Sequence, residues 1–315
     1  MKSKASAPGK VILFGEHFVV YGVKAILCAI NKRITVTAKD IEENKIIIES
    51  NIGSLSEKPC KLISEIKSPL KPFYYLANKM LQSQNKIKGV EIIVDSEIPL
   101  GVGLGSSSAC CVAGAGAISK LFGEKSKEQV LELAIEAERT IFQNTSGADC
   151  TVCTYGGIMK YDKKNGFEKL EYEPNFHLVI ANSNIEHSTE SIVNKVNQFK
   201  EENQEEFSNL CEKESKLIEE VLKILKENNI DKLGKKIIQN QEYLETIGVS
   251  NEKLRDMIRT SQKFTLGAKI TGAGGGGCIF SLTEESNLNN IINEFRNKNY
   301  ECFSVKIDFR GLDTF

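Results

Sequence analysis

Lys10, Glu16 and His17 stand close together in the run Ala7-Pro8-Gly9-Lys10-Val11-Ile12-Leu13-Phe14-Gly15-Glu16-His17. The segment between them is strand-like and bracketed by glycines, so it should be buried. Polar side chains around a buried strand call for a ligand or a partner, with a turn closed by a salt bridge as the alternative. A second stretch, Pro99-Leu100-Gly101-Val102-Gly103-Leu104-Gly105-Ser106-Ser107-Ser108, is followed by the small-residue run Ala109 to Ala117. Alternating glycines let the backbone take positive φ and aim several N–H groups at one point, and the run after them reads as a tightly packed helix. The result is an anion site at a helix N-terminus, which phosphates fill well; a flexible turn before a core helix is the alternative. No Lys follows Gly105, as a Walker A loop requires, and Ser106 stands where a dinucleotide fingerprint needs Gly. A third cluster, Lys269-Ile270-Thr271-Gly272-Ala273-Gly274-Gly275-Gly276-Gly277-Cys278-Ile279, lies between two strand-like runs. So many glycines cost conformational entropy, and close approach of backbone to a ligand explains them better than a plain hairpin. Two carboxylates complete the set. Glu138 sits late on an amphipathic helix, and Asp149, between a glycine turn and an apolar run, is expected at a sheet edge. Each alone is more often structural; together with a phosphate loop they offer a metal ligand and a general base for phosphoryl transfer.

The elements that must position these residues fall into two textures. Val11 to Phe14, Ile34 to Ala38, Lys45 to Ser50 and Val90 to Val94 read as strands, and Ile46, Ile47 and Ile48 in series predict a strand with both faces covered. Helical spacing marks 73–82 and 127–142. After a short strand at Leu178 to Ala181, long amphipathic helices run over 189–199, 205–227 and 231–246, with charge runs such as Glu212 to Glu214 expected on solvated faces. Strands at 268–271, 278–282 and 302–308 with a helix over 287–297 then predict a split βαβ-type layer. The expected fold class is α/β (α+β), divided near residues 180–190.

Composition narrows the partners. A chain of 315 residues exceeds what one core usually serves, which favours two domains, and 41% hydrophobic with 26% charged residues excludes disorder. With 41 Lys+Arg against 42 Asp+Glu there is no global pull toward nucleic acid or an anionic membrane. Any bound anion must be held by local geometry. The weakly polar stretch Ala109 to Ile118 is too short to span a bilayer, and the N-terminus lacks the apolar run of a secretory signal. Nine scattered cysteines fit free thiols in a reducing cytoplasm. Cys150 and Cys153 have no second pair, and only His17, His177 and His187 could complete a zinc site, so they read as small buried hydrophobes.

The three glycine clusters, in this order, resemble the signature motifs of the GHMP kinase superfamily of small-molecule kinases, over nearly the whole chain. Ala7 to His17 followed by Val20-Tyr21-Gly22, and Ser146-Gly147-Ala148-Asp149 running into Thr151-Val152 and Thr154-Tyr155-Gly156-Gly157, are similar to the mevalonate kinases within it. The resemblance implies a two-domain fold: residues 1–182 like the second domain of ribosomal protein S5, and 183–315 ferredoxin-like. It implies ATP- and Mg²⁺-dependent phosphorylation of the C5 hydroxyl of (R)-mevalonate in isoprenoid biosynthesis, with a homodimer left open. Asp149 would be the catalytic base and Lys10 would stabilise the alkoxide and the transferring phosphoryl. Gly101, Val102, Gly103, Leu104, Gly105, Ser106 and Ser107 would wrap the triphosphate, with Ser107 and Glu138 holding Mg²⁺. Glu16, His17 and Thr189 would line the substrate pocket, and Asn51 and Ser96 would meet the nucleotide. Glu190 beside Thr189 reverses the basic character usual there. A sibling such as phosphomevalonate kinase would call for extra Lys/Arg near the pocket. A non-catalytic ligand sensor on the same scaffold would be expected to lose Lys10, Glu138 or Asp149, and all three are present.

Overall fold

Two sheets share the chain. The computed structural model describes residues 1–83, 87–99, 102–174, 176–186 and 188–315. The first sheet is formed by β1 (Lys2–Phe14), β2 (Ala25–Ile41), β3 (Ile46–Ser50), β4 (Gly53–Glu57), β5 (Gly89–Ser96), β6 (Ile158–Asp162), β7 (Gly166–Lys169) and, from the far end of the chain, β12 (Asp313–Thr314). Its order is β12-β1-β2-β5-β3-β4, with β6 on β2 and β7 on β6. Helices α1 (Lys71–Gln82), α2 (Ser106–Phe122), α3 (Lys127–Arg139) and α4 (Ala148–Tyr155) pack on it and on one another. The β1–β2 ladder slips between Pro8 and Gly9, immediately before Lys10; such irregularities re-aim a side chain next to a site.

The second sheet contains β8 (His177–Asn182), β9 (Gly267–Ile270), β10 (Cys278–Thr283) and β11 (Glu301–Val305), all antiparallel in the order β11-β8-β10-β9. Helices α5 (Thr189–Glu202), α6 (Gln204–Lys226), α7 (Ile230–Thr246) and α8 (Glu252–Ser261) lie between β8 and β9 in sequence, and α9 (Leu288–Asn297) between β10 and β11. That order is the split βαβ layer expected from the pattern. By sheet membership the divide falls before β8 rather than after residue 182, because β8 pairs with β10 and β11. The last residues then cross back: Ile307 bridges Ile30, and β12 pairs with β1.

Three sequence expectations need correction. Ile46 and Ile48 are buried but Ile47 is only half-buried: α1 covers one face of β3, so the row is one-sided. The segment after Asp149 is a helix and not the edge of a sheet. Its β-branched residues look strand-like, but Thr151 and Thr154 donate their hydroxyls to the carbonyls of Gly147 and Cys150 at 2.8 Å each, and the helix packs on α2 and β1. Glu212 and Lys213 are solvated, whereas Glu214 is fully buried. It shares the helical stripe of Leu210, Leu217 and Ile218.

Candidate active site

A cavity of about 690 Å³ opens between the two domains. β1 contributes Lys10 and Ile12, the loop before α2 contributes Val102, Gly103 and Gly105, α2 its three opening serines, α3 Glu138, and α4 Asp149. The second domain closes it with Thr189, Val193 and Val196 on α5 and with Gly272 and Ala273.

Burial alternates along the loop before α2: Val102 and Leu104 point into the core while Gly103 is exposed. Gly103 and Gly105 have φ of 77° and 73°. Gly105 is required twice over, because a Cβ there would also lie 2.6 Å from Cγ of Lys10. The backbone N–H of Lys10 donates to the carbonyl of Leu104 at 2.9 Å, which ties strand and loop together. Gly105 caps α2 without any side-chain hydrogen bond to its first turn. The opening N–H groups of α2 therefore face the cavity end with the helix dipole behind them. Gly101 lies outside the described residues.

Lys10, 5% exposed, places Nζ 3.0 Å from Oδ2 of Asp149, which is partly open to the cavity. Glu138, 3% exposed, accepts hydroxyl hydrogen bonds from Ser108 on one oxygen and Thr145 on the other. Ser107 is exposed on the cavity wall beside it. The Ser108 and Thr145 hydroxyls were not singled out from the sequence, although Ser108 directly continues the serine run.

His17 holds a φ of 62°, uncommon for a side chain with a Cβ and worth about 1–3 kcal/mol of strain. Its Nε2 lies 2.8 Å from the carbonyl of Ala273. A carbonyl only accepts, so Nε2 carries hydrogen, and burial lowers the His17 pKa from its ordinary value. The ring is therefore neutral at neutral pH, with Nδ1 an acceptor.

Glu16 reaches the cavity wall, but its carboxylate is taken by Lys269 from β9. Lys269 is fully buried and also donates to the carbonyl of Leu13 at 3.1 Å. Glu214 lies in the same buried cluster: it accepts the N–H of Gly15 at 3.0 Å and the Asn240 amide on both oxygens at 2.8 Å. Burial pushes Glu16 up against the opposing pull of Lys269, and lowers Lys269 against that of Glu16. Burial pushes Glu214 up to about 7, opposed by Lys269 and reinforced by Glu16. This cluster joins β1 to α6, α7 and β9 across the domain junction. Spacing could not reveal it.

Other sequence-selected residues lie apart. Ser96 accepts the N–H of Ile98 at 3.2 Å and donates to its carbonyl at 3.0 Å, and Asn51 sits on the exposed turn between β3 and β4; neither lines the cavity. Within the third glycine cluster only Gly272 and Ala273 do. Gly274 and Gly276 instead admit the chain's own backbone: a Cβ would lie 2.4 Å from the carbonyl of Val249 and 2.3 Å from that of Ile185, respectively. Glu190 stands in the first turn of α5, where the dipole favours an acid. All nine cysteines are unpaired, and no helix among the described residues is long and apolar enough to cross a membrane.

Residues 71–157 match the family model for the N-terminal domain of GHMP kinases, and residues 217–302 match the model for their C-terminal domain. The chain belongs to the GHMP kinase family. Its curated relatives include the mevalonate kinase of Thermococcus sibiricus, 36% identical over 313 residues covering 90% of each chain, and that of Pyrococcus furiosus, 36% identical over 300 residues covering 90% of this chain and 89% of the relative. Among solved structures, Methanococcus jannaschii mevalonate kinase superposes with a TM-score of 0.85 at 30% identity, covering 97% of this chain and 98% of that one. L. major mevalonate kinase in complex with R-mevalonate shares the fold with a TM-score of 0.83 at 24% identity, over 97% and 96% of the two chains.

Proposed function

We propose that the protein is a mevalonate kinase, transferring the γ-phosphoryl of ATP to the C5 hydroxyl of (R)-mevalonate. The observation that carries the reading is the Lys10–Asp149 pair at 3.0 Å, set in a cleft beside the uncapped N-terminus of α2. The comparisons support the same substrate, since relatives matched over nine-tenths of the chain are mevalonate kinases.

A primary alcohol is a poor nucleophile at neutral pH. Asp149 takes the hydroxyl proton as the oxygen–phosphorus bond forms, and the bond from the γ-phosphorus to the β,γ-bridging oxygen breaks, so ADP leaves with that electron pair. Lys10 holds its ammonium where the alkoxide and the transferring phosphoryl gather charge. The α2 N–H groups, with Gly103 and Gly105 leaving room for phosphate oxygens, hold the triphosphate. A neutral His17 offers Nδ1 to a substrate hydroxyl, and Thr189 lines the opposite wall. Ser96 and Asn51 would meet the nucleotide only where it extends beyond this cavity.

Glu138 and Ser107 fit Mg²⁺: both are oxygen donors, and each carboxylate oxygen keeps a lone pair after accepting one hydroxyl. Held by these two residues, the ion would neutralise charge on the nucleotide's phosphates. Among the described residues lining the cavity, Lys10 is the only Lys or Arg. That wall suits a substrate that brings a carboxylate better than one that also brings a phosphate. The unpaired cysteines support a reducing, cytoplasmic setting.

The test is a coupled ADP-release assay with ATP, Mg²⁺ and, separately, mevalonate, phosphomevalonate, galactose and homoserine. Turnover with mevalonate is expected. Turnover only with phosphomevalonate, or with none of the four, would overturn the reading.

A further inference from the structure

At the far end of α4 from Asp149, the chain's own C-terminal tail closes the helix. α4 is only 8 residues long, below the roughly 12–15 at which an isolated helix becomes even marginally stable, so its placement depends on its packing against α2 and β1 and on what holds its ends. The last carbonyls of a helix need outside partners. Here Thr154 O accepts the N–H of Leu312 at 2.9 Å, and Tyr155 O accepts Nζ of Lys169 at 2.9 Å. Gly157 in turn donates its N–H to the carbonyl of Asp308 at 2.7 Å. Two glycines let the segments meet backbone to backbone: a Cβ on Gly156 would lie 2.5 Å from Gly311 N, and one on Gly311 would lie 2.3 Å from Thr154 O.

The tail is itself pinned by a buried fork. Asp308 folds one carboxylate oxygen onto the N–H groups of Arg310 and Gly311, at 2.9 and 3.0 Å, and gives the other to the Arg33 guanidinium. Arg33 donates Nη2 to the carbonyls of Gly311 at 2.6 Å and Ser6 at 2.8 Å, and Nε to the Ser6 hydroxyl at 3.1 Å. Ser6 lies on β1, the strand that carries Lys10. One guanidinium thus touches the strand of the catalytic lysine and the tail that abuts the helix of the catalytic carboxylate.

We propose that Arg33, Asp308 and Gly311 form a positioning latch that sets the register of α4 against β1, and so the Lys10–Asp149 geometry. This rests on the reading of Asp149 as the base. None of Arg33, Asp308 and Gly311 lines the cavity, so they act only through where they put Asp149.

The experiment combines Gly311→Ala, whose Cβ would drive the tail from Thr154, with Arg33→Lys, which keeps the charge but loses the fork. Each is measured alone and in an Asp149→Asn background, by steady-state kinetics well below the melting temperature. Expected is a fall in kcat of about tenfold or more with both KM values within about twofold, and little further loss once Asp149 is Asn. A comparably destabilised control on α9, Ile291→Ala, should lower the melting temperature and leave kcat alone. If Gly311→Ala cannot be purified folded, Arg33→Lys decides. Wild-type kcat in these variants, or the same fold-loss with Asn at 149, would overturn the latch. Wild-type kcat for Asp149→Asn alone would instead overturn the assignment of the base.

Discussion

Replacing Lys269 by Met should expose how the domain junction is held together. Lys269 is fully buried, bonds Glu16 and the Leu13 carbonyl, and lies 5.8 and 5.5 Å from the ring centroids of Phe14 and Phe280, so a thioether of similar length fits the space. What it removes is the positive charge between Glu16 and Glu214, which are 2% and 0% exposed. Among the described residues, Oε2 of Glu16 has no hydrogen-bond partner even with Lys269 present. Breaking a buried pair from one side costs about 3–5 kcal/mol, a large share of the roughly 5–15 kcal/mol that holds a domain folded. The sign with pH follows from the direction of the shifts. Burial already raises Glu16 and Glu214 above their ordinary value, and losing Lys269 raises both further. A raised folded pKa means stability that is complete below the ordinary carboxyl range and is lost as pH rises through the folded value. The deficit of Lys269→Met relative to wild type should therefore be larger near about pH 8 than near about pH 5. Urea unfolding of both proteins at the two pH values, followed by circular dichroism, measures it. Adding Glu16→Gln should recover part of the loss at the higher pH. A deficit independent of pH, or one below about 1 kcal/mol, would mean that Lys269 does not hold the two buried carboxylates.

Three other perturbations follow from the same geometry. Glu214→Gln should remove the wild type's loss of stability between the ordinary carboxyl value and about 7, raising stability near about pH 8 by up to about 3 kcal/mol in urea melts; a variant less stable than wild type there would contradict it. Glu138→Gln should raise the Mg²⁺ concentration for half-maximal activity by about tenfold or more, read by titrating the ion at fixed ATP. Gly105→Ala forces a Cβ into Lys10 at φ 73° and should cost about 1–2 kcal/mol of backbone strain together with a drop in kcat, read by melting and steady-state kinetics.

Much of this was legible in residue order because the governing periods are local. The spacing of apolar residues found α1, α3 and the long helices of the second domain, and glycine alternation located the turn into α2. The split βαβ order of β8 to β11 followed from strand and helix sequence alone. α4 was not legible: Thr151, Val152 and Thr154 favour a strand by propensity, and packing on α2 and β1 together with the C-terminal tail overrules them. Glu214 was hidden by its neighbours Glu212 and Lys213, although its place four residues after Leu210 and three before Leu217 puts it on the apolar stripe. The pairings Lys269–Glu16 and Arg33–Asp308 join residues 253 and 275 positions apart, which no local pattern encodes. For the third cluster the pattern pointed to close approach of backbone to a ligand, whereas Gly274 and Gly276 meet the carbonyls of Val249 and Ile185 of the same chain, a pairing set by tertiary packing.

Asp149→Asn removes the proposed base with almost no change of shape, and so tests whether Asp149 accepts the C5 hydroxyl proton of mevalonate. With ATP and Mg²⁺ saturating, kcat for mevalonate should fall by about 10²–10⁴-fold while the calorimetric Kd for mevalonate stays within about threefold. Formation of 5-phosphomevalonate at the wild-type rate by the Asn variant would show that Asp149 is not the base.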